Sequence, residues 1–427
     1  VTPVPAIPAE QLPLETSGSP GAHGTPAHRD GNVLRWLAAY TASMVGDSVF
    51  SLALAWTAVQ AGTPAQAGIV TAVGAVPRAL LMLGGGVVAD RFGPRRVVVV
   101  SDAVRCAAAL AAAALLHLTG PGLWLLAVLA LVFGAVDAVF VPAVSALPAR
   151  ITGPGQLARV QGLRGLAIRF AGVVGAPLGG LGVALGRSAG AFALAGLLIA
   201  GSVPLLMCVR TRELPQDAVA ARGRATPWRD LRDGLRYVRG HRVLAPLVLA
   251  IALGDLGFVG PLNVGLALLA DERGWGAEGV GWVLAGFGTG AGIAALALAV
   301  RGRLPHAGRL TGLAVLGGSA AIGALARMPD LPAAVGTALL VGLLTGLSGA
   351  LCGALLNSLA DPAYLGRVNA VAGIVSLGVA PLGLPLSAAA VGAWGAGPVF
   401  LASAAVCGLG GLVALAVPAL RRAELPH

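Results

Sequence analysis

The sequence predicts an all-α membrane protein: twelve transmembrane helices in two six-helix bundles, with both termini cytoplasmic. Three observations carry this expectation. The 427 residues are 57% hydrophobic and only 11% charged, with a mean hydropathy of +0.85, whereas about a quarter of the residues in a soluble domain are charged. Apolar stretches near the roughly 20 residues that a bilayer core requires recur about a dozen times. Arginines concentrate in alternate connections between those stretches, as they do when alternate loops face the cytoplasm.

Residues 1–32 are rich in Pro, Gly, Ser and Thr and contain no apolar run. They read as a disordered cytoplasmic tail rather than a signal peptide. A first bundle over 33–209 takes spans at 33–59, 67–89, 97–118, 122–144, 157–184 and 189–209. Pro142, Pro148, Pro154 and Pro177 blur the ends of the fourth and fifth spans, because proline lacks the N–H that a helix interior needs. An Arg-rich linker follows over 210–242, in which Trp228, Tyr237 and the arginines suggest a short helix on the membrane surface. The second bundle, 243–420, takes spans at 243–270, 278–300, 307–326, 332–356, 368–392 and 397–420, and 421–427 form a second cytoplasmic tail.

The loops test the count. Arg91, Arg95 and Arg96 follow the second span, Arg150 the fourth, Arg301 and Arg303 the eighth, Arg367 the tenth, and Arg421 with Arg422 the last. Connections after odd-numbered spans carry one arginine at most, at Arg187, Arg273 and Arg327. Only twelve spans keep this alternation in phase. The net charge of +11 is therefore a topological signal, and nucleic acid is not an expected partner.

Several chemistries are excluded. All 29 basic residues are arginine, so there is no lysine for a P-loop or a Schiff base. Cys106, Cys208, Cys352 and Cys407 are scattered through apolar segments without a paired spacing, as small buried hydrophobes are. The six histidines fall in tails or at span ends. No metal, no cofactor and no enzyme activity are expected.

The two halves echo each other. Leu157-Ala158-Arg159-Val160-Gln161 opens the fifth span and Leu365-Gly366-Arg367-Val368-Asn369 the eleventh. Gly175-Ala176-Pro177-Leu178-Gly179 is matched by Val379-Ala380-Pro381-Leu382-Gly383. Repeated halves around a midplane site are a common transporter plan.

One stretch is more specific. Gly86-x-x-x-Asp90-Arg91-x-Gly93-Pro94-Arg95-Arg96, between the second and third spans, resembles the signature loop of the major facilitator superfamily. Ser43-x-x-Gly46-Asp47, Asp102-x-x-Arg105 and Gly254-Asp255-Leu256-Gly257-Phe258 are similar to its drug and siderophore exporter branch. The resemblance covers 33–420. It implies a two-bundle transporter that alternates between inward- and outward-facing states and acts on a small-molecule substrate. It also implies a cytoplasmic lock in which Gly86 allows close packing, Asp90 and Arg91 pair, and Arg95 or Arg96 completes the network; Gly93, Asp102 and Arg105 belong to the same gating set. Pro94 departs from the pattern, which has a basic residue there. Gly175, Pro177, Gly179 and Gly180 resemble a degraded antiporter motif and, with Pro381, would form hinges in spans 5 and 11. Ordinary small-residue packing is the competing reading of those glycines.

Asp47, Arg78, Asp137, Arg169 and Asp255 fall 11 to 15 residues into their spans, about 16–22 Å along the axis. A charge there costs about 2.5–3.5 kcal/mol on insertion scales, so these residues should face a cavity or one another. Asp47 is expected to pair with Arg78. Two arginines against three aspartates leave one carboxylate over, and Asp255 or Asp137 is the expected proton-responsive group. Asn263 is a further candidate for the substrate path, with Tyr40, Trp56 and Gln161 as polar groups at useful depths. Aromatic content of 4% suits an apolar or amphipathic substrate better than a sugar. The expectation is an exporter of a small, largely apolar compound, monomeric, in the inner membrane and driven by protons. Uptake or uniport by the same fold, and a non-transporting sensor or scaffold, are the alternatives.

Overall fold

The computed structural model describes residues 29–120, 122–153, 156–212, 227–301, 305–361 and 364–424. Most of the expected N-terminal tail, linker residues 213–226, Arg303 and the last three residues lie outside the described residues, as does the side chain of Pro381.

The described chain is helical nearly throughout. Helix α1 spans Gly31–Ala61, α2 Pro64–Phe92, α3 Pro94–Thr119, α4 Leu123–Ile151 and α5 Leu157–Met207. Helix α6, Pro227–Gly240, is short and polar. Helix α7, Leu244–Gly260, continues through a π-helical turn at Pro261–Gly265 into α8, Leu266–Glu272. Then come α9 Gly276–Arg301, α10 Ala307–Leu325, α11 Leu331–Leu359, α12 Leu365–Trp394, α13 Ala396–Ala416 and α14 Pro418–Arg421. Among the described residues, nine helices are long and apolar enough to cross a membrane. At 29 residues, α4 is about 44 Å long, against a hydrocarbon core of about 30 Å.

The helix ends have local causes. The Asp30 carboxylate caps α1 by accepting the Asn32 N–H at 2.8 Å. At α2, Thr63 and Gln66 exchange side-chain and backbone hydrogen bonds in a capping box, and Pro64 takes the first helical position, where a missing N–H costs nothing. The same logic accounts for Pro94. Gly93 turns the chain at φ +84° and Pro94 opens α3, so proline sits here because a new helix starts.

Two boundaries differ from the sequence expectation: the end of α4, and the end of the last expected span, 397–420, whose helix α13 stops at Ala416 with Val417 extended before α14. Helix α4 runs through Pro142 and Pro148 to Ile151 instead of ending near 144. Helix α5 holds the fifth and sixth expected spans, separated by a sharp corner at Gly186 and Arg187, the latter at φ 54°. The π turn interrupts α7–α8 without ending it.

The helices pack in two groups. In the first, α1 and α3 lie on α5, and α2 and α3 on α4; in the second, α9 and α10 lie on α11, α7 and α10 on α13, and α7 on α12. The groups meet through α5 against α9 and α2 against α12. Large apolar side chains such as Leu80, Leu118, Leu185 and Val300 point outward, 72–81% exposed, as lipid-facing residues do. In lipid the hydrophobic effect does not drive helices together; packing does, and small residues supply it.

The seam between the groups shows this. A Cβ on Gly180 would stand 2.7 Å from the Ala277 carbonyl oxygen, and one on Gly281 2.7 Å from that of Ala176. Nearby, Gln60 Nε2 donates to Asp271 Oδ1 at 2.7 Å. All these contacts lie at one end of the molecule. At the other, Arg-rich end, Gly162, Gly165, Gly366 and Gly373 have no neighbour within 4 Å of a Cβ position. Among the described residues, the tightest glycine contacts and the hydrogen bond that join the two groups lie at the end away from the arginines. Gly281→Val is expected to wedge the seam apart, since backbone on both sides leaves no room and overpacking costs about 1–3 kcal/mol. Cross-linking between cysteines at Gln60 and Asp271 should then fall severalfold; undiminished cross-linking would refute the seam.

Candidate functional site

A buried charge cluster centres on Arg105 of α3, which is completely buried. Its Nη1 lies 3.1 Å from Asp137 Oδ1 on α4 and 3.5 Å from Asp47 Oδ1 on α1. Its Nη2 donates to Asp102 Oδ1, one helical turn earlier, and to Ser43 Oγ at 3.1 Å. The guanidinium stacks over the Phe140 ring, 3.9 Å from its centroid. Asp102, also fully buried, accepts further hydrogen bonds from Ser43 Oγ at 3.0 Å and from Ser202 Oγ in the second arm of α5. Arg78 of α2 reaches Asp137 Oδ2 at 3.9 Å. Five helical segments thus converge on three carboxylates and two guanidiniums. Each ion has partners, which is the condition for tolerating a buried charge.

Two sequence expectations are corrected. Asp47 pairs with Arg105 and not with Arg78, whose partner is Asp137. Asp102 and Arg105 do not sit with the signature loop; Arg105 is about 15 Å along α3 from Arg95, at the centre of the cluster. Sequence reasoning missed Arg105 as the hub and missed Ser202 altogether. A signal was present: Ser43 with Asp47, and Asp102 with Arg105, are spaced to share a helix face.

One cavity opens beside this cluster, and another lies mainly among helices of the second group. The first, of about 310 Å³, is lined by Arg78, Asp137, Phe50 and Phe133 from the first group and by Asn263 and Val259 from the second. Asn263 lies in the π turn and donates to the Val259 carbonyl at 2.8 Å; such turns recur at functional sites. The other cavity, of about 520 Å³, is lined by Asp255, Ser376, Asn369, Thr345, Phe258 and Phe287, and by Arg169 from α5 of the first group. The Asp255 carboxylate accepts a hydrogen bond from Ser376 Oγ. No described cation lies within ion-pairing distance of it. The expected path residues are thus divided: Arg78, Asp137 and Asn263 face one cavity, Arg169 and Asp255 the other, and Asp47 joins the cluster.

The pairing expected in the signature loop is not formed. Asp90 is exposed and makes no ion pair among the described residues. Arg91 lies over the ring of its neighbour Phe92. Arg95 caps the end of α5 by donating to the Leu206 and Met207 carbonyls, while Arg96 is exposed. The close packing expected at Gly86 is found one residue earlier. A Cβ on Gly86 would meet nothing, whereas Gly85 is pressed against the Ala138 carbonyl. The expected hinge around Gly175, Pro177, Gly179 and Gly180 keeps helical dihedrals; the departure comes at Gly186 and Arg187. Gly175 and Gly179 pack on α1, and Gly180 on α9, so in this state the motif is a packing seam.

The profile of the Major Facilitator Superfamily matches residues 36–329, well over half of the chain. The chain belongs to the major facilitator superfamily. The multidrug efflux pump Tap of Mycobacterium tuberculosis is 30% identical over 398 residues, covering 89% of this chain and 92% of Tap. The enterobactin exporter EntS of Escherichia coli K12 is 29% identical over 351 residues, 81% of this chain and 80% of its own. Among solved structures, a D-xylose-proton symporter superposes with a TM-score of 0.70 at 14% identity, over 92% of this chain and 98% of that one. That likeness shows the fold alone. The chain is a multi-pass membrane transporter of small-molecule substrates, and members of this superfamily are not enzymes.

Proposed function

We propose that the protein is a secondary active exporter of the inner (cytoplasmic) membrane, moving a small, largely apolar compound outward by alternating access in exchange for protons. The compound would be an antibiotic, a siderophore or a secondary metabolite. The observation that carries this reading is the larger cavity. It presents mainly apolar and small side chains around Asp255, a single carboxylate without a cationic partner among the described residues, and its lining reaches Leu356 and Asn369 toward the Arg-rich end. The positive-inside rule makes that end cytoplasmic, which is the face an exporter loads from. The outward direction rests on the two relatives, both named for export.

In this reading α5 counts as two spans and α7–α8 as one, giving twelve, with both termini cytoplasmic. Residues 33–209 and 243–420 are the two rocking bundles, joined by the linker at 210–242, in a monomer. The seam at Gly180 and Gly281 is the external gate, closed here. Asp90, Arg91 and Arg95 or Arg96 form the cytoplasmic lock, open here. Arg78, Asp137, Asn263, Arg169 and Asp255 line the path, and Asp255 takes the proton. The Arg105 cluster holds the first bundle rigid, which a rocking mechanism requires.

The test is accumulation of a panel of lipophilic fluorescent compounds in cells expressing the protein. At least one compound should accumulate less than in vector controls, and a protonophore should abolish the difference. Higher accumulation would identify uptake, and no change across the panel would sink the proposal.

A further inference from the structure

The Arg-rich end holds a second basic feature, remote from both cavities. Helix α14 folds back over the start of α10. Gly308 lies against the Leu420 carbonyl, and its N–H donates to the Ala423 carbonyl at 3.1 Å. Ala307 and Leu420 are completely buried in this joint. The joint brings Arg309, Arg421 and Arg422 around one cavity with His306, and Leu313 and Leu415 form its apolar wall. Among the described residues, the only acid lining it is Glu424, and no ion pair joins it to any of the three arginines. Like charges held together on a well-packed scaffold repel one another, and an anion between them offsets that repulsion.

We propose that this cavity is a binding site for an anionic phospholipid, whose phosphate is held by Arg309, Arg421 and Arg422 while an acyl chain runs along Leu313 and Leu415. The lipid source, as against a free anion, is argued from the wall. Leu313 is 48% exposed and Leu412, one turn from Leu415, is 53% exposed, so the wall continues onto the outward apolar surface of α10 and α13. A guanidinium fork matches phosphate oxygens in pairs, and basic pockets between helix ends at the inner leaflet suit anionic headgroups. The site is independent of the transported compound.

Native mass spectrometry of the purified full-length protein with phosphatidylglycerol or phosphatidylcholine tests this. Phosphatidylglycerol should be retained in preference, and the triple variant Arg309→Gln/Arg421→Gln/Arg422→Gln should lower that retention about tenfold or more. The control variant Arg232→Gln/Arg236→Gln, on exposed positions of α6, should retain it as wild type does. Equal loss in both variants would reduce the effect to diffuse surface charge and overturn the site. Displacement of the lipid by glycerol 3-phosphate at equal concentration would overturn the assignment to a lipid. If the triple variant does not fold, the single variants Arg421→Gln and Arg422→Gln decide: each should lose part of the preference, and wild-type retention in both overturns the proposal.

Discussion

Replacing Arg105 by glutamine is expected to cost the protein most of its folded population. The substitution leaves Asp102 without its cation in a fully buried position and leaves Asp47 and Asp137 with only Arg78, 3.9 Å from Asp137, to oppose their charges. Removing one partner of a buried ion pair costs about 3–5 kcal/mol, against a total stability of about 5–15 kcal/mol for a typical domain. The loss of the Phe140 stack adds to it. Thermal unfolding in detergent should shift sharply downward, and monodisperse yield on size exclusion should fall. The double variant Asp102→Asn/Arg105→Gln should recover much of that loss, because the uncompensated carboxylate is then gone. Unfolding of Arg105→Gln at the wild-type temperature would mean that the cluster does not hold the first group of helices together.

Asp255→Asn should have the opposite profile, folding normally and losing gradient-driven transport. Asparagine keeps the size of the side chain and can still accept the Ser376 hydroxyl, and no described cation is orphaned by the change. What disappears is the ability to bind and release a proton. A positioned proton-exchanging group contributes about a hundredfold or more to the steps it serves, so efflux against a gradient should fall at least about tenfold. Downhill exchange of preloaded compound should persist. Transport driven by an imposed proton gradient in vesicles, compared with counterflow in its absence, separates the two. Full gradient-driven transport in Asp255→Asn would move the coupling to Asp137.

The contrast between these two aspartates shows where sequence reasoning stopped. Asp137 and Asp255 lie at similar depths in apolar stretches, and the motif around Asp255 does not say which of the two has a cation beside it. In the structure Asp137 lies between two arginines while Asp255 has a serine. The partners that decide this, Arg78, Arg105 and Ser376, are 32 to 121 residues away in the chain. Pro94 shows the reverse case: its cause is local, a helix start after Gly93, yet it reads as an anomaly when the loop is compared with a family pattern.

Hydropathy, loop charge and contiguous motifs are enough to read the chain as a polytopic helical membrane protein with a repeated plan and the signature loop of its superfamily. Those properties depend on hydropathy over a span, on arginine counts in loops and on contiguous motifs, and each can be read within a few dozen residues. Which charges meet, where the two groups join and which glycine bears the packing depend on the folded arrangement of the helices. These turn on side chains meeting across helices at 3–4 Å, and a rotation of one helix by a single residue would exchange Gly85 for Gly86 or bring Asp47 to a different arginine. Apolar helices that are hydrophobic on every face carry no stripe to announce that rotation. In a bilayer, packing sets it.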